Sequence, residues 1–347
     1  MHTERSLART HGFGLVSFAL PVVLLALFGF PPISKAASKD DLIQGAKKEG
    51  EVILYASMNI EEANTTIAKF EEKYPFLKVK LARTGSEKLL AKALTEARAK
   101  KHFADVIQTV EFSMHILRNK GILGRYLSPE EGLYPKEFKE DGYWTTVYYN
   151  PYVVAYNTKL VPRERLPKSY EDLLNPLWKG KMMMEGTKVD WFAGMLQIMG
   201  REKGLKYMRD LSRQDLMLRT GHNLIAQLVA AGEALFDINI PASSVDRLKE
   251  NGAPIDWTAL GPAPAIMVGI GIASQTPHPH AARLYVDFAL SREGQRLMRG
   301  FGRLVARSDF AQEQAAAIKG VQIAPVNPAL ADKMDDYAKQ LRGIFAR

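Results

Sequence analysis

Hydrophobic and polar positions follow two spacings that trade places along the chain. Asp40 to Glu49 reads as a short helix stopped at Gly50, and Glu51-Val-Ile-Leu-Tyr55 as a compact apolar strand. Ala63, Ile67 and Phe70 predict a helix over 61–73, which must end before Tyr74-Pro75. Lys78-Val-Lys-Leu81 is a second strand. Thr84-Gly85-Ser86 is a turn and N-cap, with a helix from Glu87 to Lys101 behind it. Ala104-Asp-Val-Ile107 is a third strand, and Phe112 to Asn119 a helix stopped at Gly121. Strand and helix in alternation argue an open α/β sheet with parallel strands.

Ser128 to Gly142 is rich in turn residues and reads as a surface excursion. The aromatic and β-branched run Trp144 to Tyr156 follows, and Pro151 inside it demands an edge, a bend or a crossing. A second series has strands at 182–184 and 234–238 and helices at 191–199, 204–211 and 223–231. Gly261 to Ser274 is strand-like again, before helices at 280–290, 292–299 and 329–345. Two strand-like runs, 147–157 going out and 263–272 coming back, therefore suggest two lobes with a ligand cleft and hinge between them. The expected division is 37–150 for the first lobe, 151–262 for the second, and 263–347 for the return and the C-terminal helices.

The N-terminus changes the picture. Arg5 and Arg9 precede an apolar run from Gly14 to Phe30, and Ser34 and Ala36 place small residues before Ala37. This is the pattern of a secretory signal peptide over 1–36, cleaved between Ala36 and Ala37. Pro21 interrupts the run, which is short against the roughly 20 residues of a membrane span. The sequence has no cysteine, so disulfides, thiolate metal sites and cysteine nucleophiles are excluded. Net charge is +9, and residues 1–36 hold Arg5, Arg9 and Lys35 against Glu4, which leaves about +7 after cleavage. Basic and acidic residues are interspersed, so nucleic acid is not an expected partner whereas anionic solutes are compatible.

Several phrases carry a resemblance: Glu49-Gly-Glu-Val-Ile-Leu-Tyr55, Ala104-Asp105-Val106, Tyr152-Val-Val-Ala-Tyr-Asn-Thr158, the stretch Tyr170 to Lys181, and His278 to Gln295. Over roughly 45–310 the chain resembles bacterial extracellular solute-binding proteins of the ferric iron, thiamine and phosphonate group. The resemblance implies a type II periplasmic-binding fold, two α/β lobes joined by two crossing strands. It also implies a monomer in the periplasm that delivers a small-molecule solute to an ABC permease in the inner membrane, without cofactor or catalysis.

Carried over position by position, the resemblance puts Ser57 and Asn59 after strand one, Thr84, Gly85 and Ser86 after strand two, and Glu111 after strand three. From the second lobe it brings Thr187 and Trp191, then Gly221, His222 and Asn223 at a helix start, and Asp237 and Asn239 after a strand. Helix N-termini present unpaired N–H groups, so 84–86 and 221–223 suit an anion or a carbonyl. Ser86 and Asn223 could equally just cap their helices.

Ferric members of the family use neighbouring tyrosines in the second lobe. Here Ala234 to Ala242 has none, Asn59 replaces the expected first-loop histidine, and Tyr148-Tyr149 lies in the crossing run, so no metal ligand is expected. His278-Pro-His280 suits a helix start, and Met182-Met-Met184 a buried strand. Gly269-Ile-Gly271 falls inside a strand and is no dinucleotide fingerprint. An exported enzyme on the same frame, or a solute sensor, are the alternatives. The first lacks a recognisable nucleophile and base.

Overall fold

A computed structural model describes residues 39–315 and 322–345 of the chain. The expected export segment lies outside the described residues. The first series follows its pattern: α1 (Lys39–Glu49), β1 (Glu51–Ala56), α2 (Ile60–Lys73), β2 (Lys78–Arg83), α3 (Ser86–Arg98), β3 (Val106–Val110) and α4 (Glu111–Asn119). β1 pairs in parallel with both β2 and β3. β3 begins later than its apolar run because the buried Asp105 carboxylate holds the entry, accepting the N–H of Ile53 at 2.6 Å and of His278 at 3.0 Å.

The turn-rich excursion forms two short 3-10 turns and β4 (Lys139–Glu140). It leads into β5 (Trp144–Asn157), which is buried at every position. The second series is β6 (Met182–Glu185), α5 (Val189–Met199), α6 (Arg201–Ser212), β7 (Met217–Arg219), α7 (His222–Ala231), β8 (Phe236–Pro241), α8 (Ala242–Glu250) and β9 (Ile255–Thr258). β10 (Ala263–Ile272), α9 (Pro279–Leu290), α10 (Arg292–Gly300), α11 (Ala311–Ala315), β11 (Ile323–Pro325) and α12 (Met334–Phe345) complete the described chain.

The strand order β2-β1-β3-β10-β5-β8-β6-β7 makes β5 the link between two lobes. It pairs antiparallel with β10 as far as Pro151, opposite Ala265, and with β8 from Tyr152, opposite Pro241. Proline has no N–H to give a ladder, so it is tolerated where the strand changes partners.

Each lobe has its own core. Phe70, Tyr285 and Phe288 meet in the first, with ring centroids 4.9 and 5.5 Å from Phe70. Phe192, Met208 and Phe236 are fully buried in the second. Full burial of such side chains contributes about 2 kcal/mol each. The C-terminal segment runs across to the second lobe. Asp332 meets His115 of α4, in the first series, at 2.9 Å, and α12 packs on α5 and α6 of the second. Among the described residues no helix is long and apolar enough to cross a membrane.

Candidate functional site

The carboxyl ends of parallel strands are where α/β folds leave room for ligands. β1 runs out into Ser57 and Asn59, and β2 into Arg83 and Gly85. Opposite them, β7 leads into α7 and β8 into α8. Between these ends lies a cavity of about 650 Å³.

The helices α3, α7 and α8 bring their N-terminal turns to this cavity through Gly85 and Ser86, Gly221 and His222, and Ser243 and Ser244. None of the three receives a side-chain cap, so their first amides keep unspent N–H donors. Gly221 holds φ at +99°, a left-handed turn that a side chain would strain. α2 differs, since Asn59 Oδ1 already accepts the N–H of Glu61 at 2.8 Å. The capping alternative for Ser86 and Asn223 does not hold: Gly85 and Gly221 occupy the cap positions, and Asn223 Oδ1 instead accepts Arg247 at 2.7 Å.

His222 is the most unusual group here. Neither ring nitrogen finds a hydrogen-bond partner among the described residues, and the ring lies 6.2 Å from that of Tyr152. Burial, with Lys188 nearby, pushes its pKa down to about 3, so the imidazole is neutral near pH 7. Burial opposes the charge on Lys188, but Asp190, Glu87 and Glu185 outweigh it and raise its pKa. Lys188 stands 3.6 Å from buried Glu185 and 3.7 Å from Glu87 of α3, across the cleft.

Arg303 closes one end of the cavity. Both Nη2 and Nε bond the Glu62 carboxylate at 2.9–3.2 Å, and the guanidinium lies 4.9 Å from the Tyr148 ring. Its Nη1 donates to Asn150 at 3.1 Å and to Ser243 Oγ at 2.6 Å, so one side chain ties α2, the crossing strand and α8 together.

Of the residues expected at the site, Ser57, Asn59, Gly85 and Ser86 line the cavity from the first lobe, and Gly221, His222 and Asn223 from the second. The others lie elsewhere. The Thr84 N–H continues the strand ladder to Ala56 O at 3.2 Å. Thr187 turns back onto Glu185, its hydroxyl 2.8 Å from Oε1, and Trp191 packs in the second-lobe core. Glu111 opens α4 and is buried behind β10, where it accepts the Thr146 hydroxyl and burial lifts its pKa to about 7.

Asp237 and Asn239 fall inside the sheet because β8 continues to Pro241, beyond the strand read from the sequence. Asn239 clamps the Glu185 backbone, accepting its N–H at 2.9 Å and donating to its carbonyl at 3.1 Å. Asp237 Oδ1 accepts the Asn239 N–H at 3.2 Å, Oδ2 has no partner among the described residues, and burial lifts the pKa to about 7. The sequence reading also missed Arg83, Lys188, Arg303 and all of α8. Pro241 ahead of Ala-Ser-Ser, with Val245 and Leu248 on one face, was the available sign of α8. Among the described residues no group of three or more histidines and carboxylates is placed to hold a metal ion.

The family model for bacterial extracellular solute-binding proteins matches residues 101–334, and the chain belongs to that family. It is a solute-binding component of an ABC importer, which takes up its solute outside the cytoplasm and docks on an inner-membrane permease. An uncharacterized protein of Haemophilus influenzae is 25% identical over 267 residues, 73% of this chain and 76% of that one. Among solved structures, iron-bound HitA from Pseudomonas aeruginosa is similar, with a TM-score of 0.71, 20% identity, and 85% of this chain and 99% of that one covered. AfuA from Actinobacillus pleuropneumoniae, with fructose-6-phosphate bound, gives 0.71 at 22% identity, covering 85% and 97%. These likenesses establish the two-lobe periplasmic-binding fold.

Proposed function

We propose that the chain captures an organic anion in the cleft, acts by binding alone, and closes by a hinge at β5 and β10. The observation that carries this reading is the convergence of three uncapped helix N-termini on one cavity. Aligned peptide dipoles and free N–H groups favour negative charge there. Arg83 and Arg247 add positive charge without a carboxylate partner among the described residues. Of the carboxylates in the wall, Glu62 and Glu87 face Arg303 and Lys188 and Asp246 holds the Trp257 indole, while Glu61 and Glu250 also line the cavity; the helix ends, Arg83 and Arg247 supply its positive part. Neutral His222 supplies a donor that needs no counter-charge. AfuA, whose structure contains a sugar phosphate, offers a precedent in the same fold for this chemistry.

A thermal-shift screen of the chain from Ala37 onward, against sugar phosphates, phosphonates and carboxylates, tests the reading. A bound solute should stabilise the chain by about 2.7 kcal/mol at a hundredfold excess over Kd. His222→Ala should weaken that solute by about 2 kcal/mol, the scale of a hydrogen bond to a charged group. A response confined to cationic or neutral solutes would remove the anion reading.

A further inference from the structure

A second cavity, of about 560 Å³, adjoins the first. The two share Ser243, Asp246, Glu250 and Gly302 as walls. The Arg303 bridge lies at their junction: its Nη1 bonds Ser243, which lines both spaces, and Asn150, which lines the second only.

The second space has a different chemistry. Pro151, Ala242 and Leu304 form apolar walls, and the Trp257 indole joins them with its Nε1–H tied to Asp246 at 2.7 Å. That bond fixes the indole while its ring borders the cavity. Arg299 also faces the space, half-buried, and its guanidinium has no hydrogen bond or ion pair among the described residues. Lys249, by contrast, is held by Asp256 at 2.9 Å. A fixed indole and an unpaired guanidinium share one preference, the flat face of a conjugated ring, by stacking and by cation–π attraction.

We infer that the second cavity is an accessory subsite for a planar ring carried by the solute, whose anionic group lies at the helix N-termini of the first. This rests on the anion reading above and narrows it to ring-bearing anions such as aryl phosphates. The ring passes from one chamber to the other between Ser243 and Gly302, alongside the Arg303 bridge.

Titration calorimetry with inorganic phosphate and phenyl phosphate tests this, in the wild-type chain and in Trp257→Leu and Arg299→Ser. Phenyl phosphate should bind at least tenfold tighter than inorganic phosphate. Each substitution should erase most of that advantage and leave inorganic phosphate binding unchanged, with far-UV circular dichroism and melting checking the fold of each variant. Equal affinities for the two probes, or an advantage that survives both substitutions, would overturn the accessory subsite and leave the anion cradle standing. Binding of phenyl phosphate alone, lost in Trp257→Leu, would keep the second chamber and remove the cradle. If neither probe binds, both readings fall.

Discussion

The two walls of the cleft are built from the same kind of element, helices that start at strand ends, but they are finished differently. On the first-lobe side α3 begins uncapped and Arg83 has no carboxylate partner among the described residues, but α2 and the Glu62 carboxylate are engaged before any solute arrives. Asn59 caps α2, and Glu62 holds Arg303 through both oxygens. On the second-lobe side α7 and α8 begin without side-chain caps, and both His222 nitrogens are unpaired among the described residues. A polar group already satisfied gains little from a ligand, whereas one left unsatisfied recovers its desolvation penalty on binding. The first wall therefore combines the frame at α2 with the open end of α3, and the second supplies the larger share of unsatisfied donors.

The largest expected effect breaks the frame. Glu62 and Arg303 side chains are only 13% and 12% exposed, so Glu62→Ala leaves a guanidinium largely out of water with neutral partners alone. Removing one member of a buried pair costs about 3–4 kcal/mol. Urea unfolding should show that loss. A change below about 1 kcal/mol would mean that the pair behaves as a surface bridge and that the frame lies elsewhere.

A second, opposite effect comes from beneath the second wall. Burial raises the Asp237 pKa from 3.8 to about 7, so the folded state keeps a proton that the unfolded chain releases. Stability from this group is fully present below about pH 3.8 and is lost as pH rises through about 7. Asp237→Asn keeps the Oδ1 acceptor and replaces only the partnerless Oδ2. The variant should be more stable than wild type above pH 7, and the two should converge toward pH 4. A constant difference across that range would show that the carboxyl is ionised in both states.

How much of this could be read beforehand follows the physics of each feature. The period of apolar positions is local, and it located β1, β5 and β10 and most helices. Pro151 marked the crossing because a missing N–H is a property of the residue itself. Strand ends were harder, since β8 is buried on both faces and its apolar pattern does not mark where the ladder stops. That misplaced Asp237 and Asn239 into a loop. Arg303 was invisible for another reason: its carboxylate partner lies 241 positions away, and no local pattern encodes such a pair. Neutral, unpaired His222 could be nominated from its place at a helix start, but its desolvation belongs to the packed structure.

The smallest effect sharpens the contrast between the walls most cleanly, because Asn59 and His222 both line the same cavity. Asn59 Oδ1 accepts the Glu61 N–H at 2.8 Å and the Glu62 N–H at 3.4 Å, so its acceptor is spent on α2. Asn59→Ala should cost about 1 kcal/mol of stability, the usual cost of a lost N-cap. Only its Nδ2 donors remain for a solute, and these are half-exposed to water, so the substitution should cost less affinity than loss of the unpaired His222 ring. His222→Ala should do the reverse: affinity falls while the melting temperature of the solute-free chain does not, because no hydrogen bond of the fold is lost with the ring. Paired melting and titration measurements on the two variants separate frame from affinity. If Asn59→Ala weakens the solute as much as His222→Ala, its Nδ2 donors hold the ligand while Oδ1 caps α2, and the division between a satisfied wall and an unsatisfied one fails at the position where it is most directly stated.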